Sequence, residues 1–166
     1  MTGTDRDYGR IRSVLGDAVR DGMTRRERMQ TAADVFWQHL APTGVSWIGF
    51  YTLEPGADEM LLGPRRDKPA CSPIGLHGAC GQSAATKTTL VVTHVKNLGE
   101  GYVACDPNDT SELVIPCIDA DGTCWGVLDA DSFDEGSFDE SDARELASIL
   151  NEIGLSADAS VSVRVV

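Results

Sequence analysis

Basic residues are almost missing from the second half of this 166-residue chain: residues 100–158 carry 16 acids and a single base, Arg144. Over the whole chain 26 acids face 14 bases, a formal net charge of -12, and only three of the bases are lysines. Nucleic acid and anionic membrane surfaces are thereby excluded as general partners, because both are bound by clustered Lys and Arg. Long apolar runs are lacking as well. Nothing approaches the roughly 20 residues that span a bilayer, and the opening MTGTDRDYGR has no apolar core of the signal-peptide kind. A soluble, cytoplasmic protein is expected. Aromatics make up only 6% of residues, but the 42% apolar content still suffices for one core of domain size. No repeat, low-complexity segment or interior linker divides the chain. A CxxC motif is also absent, although five cysteines are present: Cys71, Cys80, Cys105, Cys117 and Cys124. An odd number cannot all pair, and a reducing compartment would keep structural disulfides open. Packing, metal binding or redox chemistry must account for them.

The periodic segments are clearer. Helical patterns run from Asp7 to Asp21 and from Arg25 to Leu40, the second with Met29, Ala33, Phe36 and Leu40 on one stripe. VSWIGFYTLE, from Val45, is apolar on both faces, as expected of a strand covered on both sides, with a hairpin partner around Met60–Leu62. The stretch Gly63 to Gly81 has three prolines and four glycines and reads as irregular. A short helix (Gln82 to Lys87), a strand (Thr89 to Val95) and a second irregular segment follow. Then ELVIPCI and TCWGVLDAD flank Asp121-Gly122, a strong hairpin signal. Asp139 to Ile153 is an amphipathic helix with acids in its first turn, and the last eleven residues are a loose tail or an added strand. The expected fold is α+β: a mostly antiparallel sheet of five to six strands, with the N-terminal and C-terminal helices on one side.

Hairpin register nominates a site. A two-residue turn at Asp121-Gly122 pairs Ala120 with Thr123, and counting outward pairs Pro116 with Val127, Val114 with Asp129, and Glu112 with Asp131. One face then carries Glu112, Val114, Pro116 and Ile118 beside Trp125, Val127, Asp129 and Asp131. The other carries Leu113, Ile115 and Cys117 beside Cys124, Gly126, Leu128 and Ala130. Three carboxylates thus gather at one end, where like charges facing each other call for a proton or a cation. Cys105, seven residues before Glu112, is delivered to the same end.

The cysteines divide by context. Cys117 and Cys124 lie mid-strand on the core face and read as packing residues. Cys71, Cys80 and Cys105 lie in Gly/Pro-rich segments. Zinc is a poor match for them, with spacings of nine and 25 residues and His77 as the nearby imidazole; His39 and His94 read as surface or core residues. Thiol exchange on mobile loops fits better. The neighbouring carboxylates would disfavour a thiolate, unless the reaction consumes the thiol's proton as it attacks.

WIGFY, LLGPRRDKPAC, GACG, ACDPNDTSE and GVLDADS resemble, in order, the motifs of the free methionine-(R)-sulfoxide reductases, enzymes of the GAF-domain fold. The resemblance spans residues 45–153 and implies a single GAF domain over 1–155 with a C-terminal tail at 156–166. It implies Cys105 as nucleophile, Cys71 as principal resolving thiol and Cys80 as a further member of the relay. It places Trp47, Tyr51, Glu112, Asp129 and Asp131 around the substrate. It implies a free amino-acid sulfoxide as substrate, a thioredoxin-like reductant, no cofactor and no metal, and leaves room for a homodimer. A GAF-type small-molecule sensor, or a peroxide sensor using the same thiols, remains open beside it. The chain departs from the family pattern at Arg65–Lys68, in place of an FQGK-like run, and at Tyr102, where a histidine is usual. The span between Cys71 and Cys80 is also one residue short.

Overall fold

A computed structural model of the chain describes residues 5–100, 102, 104–160 and 162–166. The elements are α1 (Tyr8–Ala18), α2 (Arg25–Leu40), β1 (Val45–Thr52), β2 (Glu59–Arg66), β3 (Ile74–Gly75), α3 (Ala79–Thr86), β4 (Thr88–Val92), β5 (Ser111–Ile118), β6 (Cys124–Ser132), α4 (Glu140–Glu152) and β7 (Ser162–Val165). Short 3-10 turns at Ala41–Thr43 and Val95–Leu98 follow α2 and β4. Local chemistry starts the helices. Asp7 caps α1 by accepting from the Arg10 N–H, and reciprocal capping boxes open α2 (Thr24 with Glu27) and α4 (Asp139 with Asp142).

The strands form one sheet in the order β3-β2-β1-β6-β5-β4-β7, antiparallel except where β7 runs parallel to β4. This confirms the α+β expectation and raises the strand count among the described residues to seven, because β3 and β7 each add an edge. The last residues are the added strand rather than a loose tail. Helices α1, α2 and α4 cover one face, where Ile11, Leu15, Phe36, Leu146 and Leu150 close on Ile48, Phe50, Leu113, Ile115 and Leu128. Trp47, Tyr51, Val114 and Val127 point to the opposite face, towards α3. β1 is apolar on both sides because both of its faces are covered.

The β5/β6 hairpin keeps its expected pairing at the acid end by two shifts that cancel. The turn is longer than expected: Asp119 N–H donates to Thr123 O across residues 120–122, with Gly122 in the left-handed region at φ 89°. Ile118 consequently pairs with Cys124. A bulge then absorbs Trp125, and from Cys117–Gly126 onward the pairing is the expected one, through Pro116–Val127 and Val114–Asp129 to Glu112–Asp131. The bulge reverses the expected faces of two residues. Trp125 belongs to the helix-side core, its Nε1–H donating to Leu155 O, whereas Cys124 belongs to the opposite cluster. Both Cys117 and Cys124 are buried and outside any disulfide.

The segment 63–81 is more ordered than its composition implies. β2 continues to Arg66, β3 occupies Ile74–Gly75, and α3 starts at Ala79. Gly63 and Pro64 fall where the β1/β2 register slips between Gly49–Arg65 and Tyr51–Leu62, so the proline's missing N–H interrupts no regular ladder. At its far end, β4 stops at Val92, before His94.

A buried ion pair ties the N-terminal segment to α4. Arg6 donates to Asp142 Oδ2 and to Ser137 O, both at 2.8 Å, and also to Ser137 Oγ and Thr43 Oγ1. Both side chains of the pair are fully buried, and Tyr8 O–H donates to the other Asp142 oxygen. Removing one partner leaves an uncompensated charge inside. Arg6→Ala is expected to cost about 3–5 kcal/mol in urea unfolding, and Arg6→Lys to recover little because lysine cannot reproduce the fork. A loss below about 1 kcal/mol would show the pair to be dispensable.

Candidate active site

Strand register assembles the site on the face away from α1, α2 and α4. Trp47, Gly49 and Tyr51 of β1 stand opposite Asp131, Asp129 and Val127 of β6, and Glu112 of β5 stands opposite Asp131 from the other side. Gly49, passed over in the sequence reading although it lies within WIGFY, has a steric role. A Cβ there would fall 2.7 Å from the Trp47 ring and 2.5 Å from Arg65 Cβ, so only bare backbone lets the indole lie across this position.

Two loops and α3 complete the site. Residues 67–73 bring Cys71, the segment before β5 brings Tyr102 and Cys105, and α3 brings Cys80. Cys71 and Cys105 are joined by a disulfide, with Cα atoms 5.7 Å apart, and both residues are exposed. The loop of Cys71 is held from beneath: Trp47 Nε1–H donates to Lys68 O and Tyr51 O–H to Cys71 O, each at 2.8 Å. An ion pair between Lys68 and Asp106 ties the same two loops together. All eight candidate residues, Trp47, Tyr51, Cys71, Cys80, Cys105, Glu112, Asp129 and Asp131, line one cavity of about 310 Å³. Tyr102 and Asp109, which the sequence reading did not nominate as site residues, line it too.

Burial dominates the electrostatics. Glu112 and Asp129 are buried and Asp131 is partly buried. Burial pushes the Asp129 carboxyl well above its usual range, and the neighbouring charges of Glu112 and Asp131 push it further. Asp131 is raised in the same way, by burial and then by Glu112, and Glu112 is raised by burial against the hydrogen bonds that it accepts from Asp129 and Tyr102. Asp109, half-buried beside Asp106, is raised to about 6. The Cys80 thiol is driven up by burial and then by Asp129 and Glu112, so it stays protonated. Asp129 Oδ1 is buried without a hydrogen-bond partner among the described residues.

This arrangement combines an exposed disulfide, proton-holding carboxyls and an aromatic wall, and the unsatisfied Oδ1 of Asp129 invites a proton or a cationic donor. Cys80, Glu112 and Asp129 each offer a ligand atom within 4.8 Å of the others. One protonated thiol and two carboxylates fall short of the thiolate and imidazole sets that hold structural zinc. An organic ammonium suits the acceptors as well and needs no deprotonated thiol.

Among the described residues no helix is long and apolar enough to cross a membrane. The sequence profile of the GAF domain matches residues 25–156. A free methionine-R-sulfoxide reductase of Saccharomyces cerevisiae is 35% identical over 131 residues, which cover 75% of this chain and 72% of the relative. Among solved structures, fRMsr of Staphylococcus aureus in complex with substrate is similar at a TM-score of 0.79 and 30% identity, covering 89% of this chain and 93% of that one. The free methionine-R-sulfoxide reductase of Neisseria meningitidis, also with its substrate, gives a TM-score of 0.74 at 33% identity over 88% of this chain and 83% of its own. With the fold, the motif order and a bonded cysteine pair in agreement, the chain belongs to the free methionine-R-sulfoxide reductases of the GAF-domain family.

Proposed function

We propose that the protein reduces free methionine-(R)-sulfoxide to methionine, with Cys105 as nucleophile and Cys71 as resolving thiol. The observation that carries the reading is the exposed Cys71–Cys105 bond at a cavity lined by Glu112, Asp129 and Asp131 and walled by Trp47 and Tyr51. Cys105 sulfur attacks the sulfoxide sulfur while a carboxyl O–H gives its proton to the sulfoxide oxygen. The oxygen passes to Cys105 as a sulfenic acid, the thiol's proton returns to the carboxylate, and methionine leaves. The substrate sulfur has gained the two electrons that Cys105 has lost. The Cys71 thiol then attacks the sulfenic sulfur, expelling water and forming the disulfide. Because that bond is exposed, a dithiol of thioredoxin type can reach and reopen it, as the cytoplasm would allow.

The proton taken up in the first step resolves the conflict between acids and thiol. A fully ionised cluster would hold a thiolate back, whereas a protonated carboxyl activates the sulfoxide instead of relying on a strong nucleophile. The carboxylates that remain ionised bind the substrate's ammonium, and Trp47 and Tyr51 enclose its thioether end. Selection of the free amino acid over a peptide follows, since a peptide nitrogen carries no charge. Incubation with free methionine-(R,S)-sulfoxide and a thioredoxin-type dithiol is expected to consume only the R form, and to leave N-acetyl-methionine-(R)-sulfoxide untouched. No consumption, together with tight binding of a nucleotide or tetrapyrrole, would replace this reading with that of a sensor.

A further inference from the structure

Glu112 and Asp129 form one hydrogen-bonded pair, and two such carboxyls share a single proton. Strand register leaves open which member keeps it. A third side chain breaks the symmetry: Tyr102 O–H donates to Glu112 Oε2 at 2.9 Å. A hydroxyl donor stabilises the ionised form of the carboxyl it reaches, and among the described residues none donates to the buried Oδ1 of Asp129. We propose that Tyr102 is a positioning residue: by donating to Glu112 it makes Glu112 the accepting carboxylate of the pair, and leaves Asp129 as the carboxyl that carries the proton to the sulfoxide oxygen.

This rests on the sulfoxide reductase reading and extends it by dividing the acids' labour. Glu112, ionised, faces the substrate ammonium. Asp129 loses its O–H proton to the oxygen as Cys105 attacks, and regains one from the Cys105 thiol. Other groups near the pair do not outweigh Tyr102. The Cys80 thiol hydrogen-bonds to Asp129 and so favours its ionised form, but a neutral S–H is a weaker donor than the tyrosine hydroxyl. Asp131 repels both acids, the repulsion between Asp109 and Glu112 falls on Asp109, Tyr51 donates elsewhere, and Lys68 is engaged with Asp106. Tyr102 is itself held neutral by burial and then by Glu112, so its donation persists across the whole working pH range. A histidine at this position, usual in the family motif, would bring a proton equilibrium of its own near neutrality. With Tyr102, the charge pattern of the pair depends on the two carboxyls alone.

The test is the pH profile of kcat/KM for the wild type, Tyr102→Phe and Tyr102→His, together with a carboxyl-carbon NMR titration of selectively labelled Glu and Asp. In Tyr102→Phe the Glu112 titration and the acid limb are both expected to rise by roughly one pH unit. The alkaline limb should fall, so the bell narrows, and kcat/KM on the acid side should drop about tenfold. Tyr102→His restores a donor and should move the acid limb back down. In a Glu112→Gln background the Tyr102→Phe substitution should have no further effect. A Tyr102→Phe enzyme with unmoved limbs and a uniformly lower rate would overturn the proposal, as would additive losses in the double variant. A wild type inert towards the sulfoxide would instead overturn the functional reading, while the NMR shift would still decide whether Tyr102 controls Glu112.

Discussion

Cys105→Ser is expected to lose at least about a thousandfold in sulfoxide reduction, because serine offers the sulfoxide sulfur no comparable nucleophile. Cys71→Ser should fail differently. Its first turnover needs only Cys105, so one equivalent of methionine per protein should appear in a burst, leaving a sulfenic acid that dimedone traps. Steady-state turnover should then fall by about a hundredfold, since the alternative resolver is poorly placed to act. Cys80 is buried, its thiol hydrogen-bonds to Asp129, and burial and the acids keep it protonated, whereas Cys71 is exposed and already bonded to Cys105. Rapid-quench product counting and mass spectrometry of non-reduced peptides read both variants. Wild-type steady-state rates in Cys71→Ser would transfer the resolving role to Cys80, and retained turnover in Cys105→Ser would remove Cys105 as nucleophile.

Asp129→Asn is expected to damage activity and improve stability in the same molecule. Asparagine copies the shape of the protonated carboxyl but has no acidic proton, so kcat should fall by about 10²–10³ with a smaller change in KM. The stability gain follows from the direction of the pKa shift. Asp129 is raised well above its ordinary value, first by burial, so the folded state binds this proton more tightly than the unfolded chain does. Its stabilising contribution is complete below the unfolded pKa of about 3.9 and is lost progressively as pH climbs to the folded value. At neutral pH the native acid is therefore a cost that the amide removes. The Tm of Asp129→Asn should exceed that of the wild type by about 3–6 °C at pH 7.5, and by much less at pH 4. A lower Tm at pH 7.5, or an unchanged kcat, would contradict the role given to this carboxyl.

Stability sacrificed at Asp129 is recovered elsewhere in the fold, where the sequence follows its local rules closely. α2 begins and ends where its stripe of Met29, Ala33, Phe36 and Leu40 predicts, because a capping box and a 3.6-residue period act within a few residues. The gathering of Glu112, Asp129 and Asp131 was legible for the same reason, although the route to it was not. A longer turn and the Trp125 bulge offset each other, and a two-residue count cannot detect a pair of compensating shifts. β2 was read too short because Gly63 and Pro64 resemble a strand's end, whereas β1 slips register there and accommodates them. Gly49 and Asp109 escaped notice, and Tyr102 was seen only as a departure from the motif, because each matters through a contact made across the fold.

Period, capping and turn chemistry are short-ranged, so the sequence by itself determined the helices, most strands, the sheet face shared by the three acids, and the set of thiols near them. Only the tertiary structure decided that Cys71 rather than Cys80 is bonded to Cys105, and that Tyr102 reaches Glu112 and not Asp129. It also left Asp129 Oδ1 buried without a partner among the described residues. Protonation and thiol reactivity sum desolvation and charge over every group that surrounds a site, and that surround exists only once residues 67–73 and the loop of Cys105 have closed over the sheet.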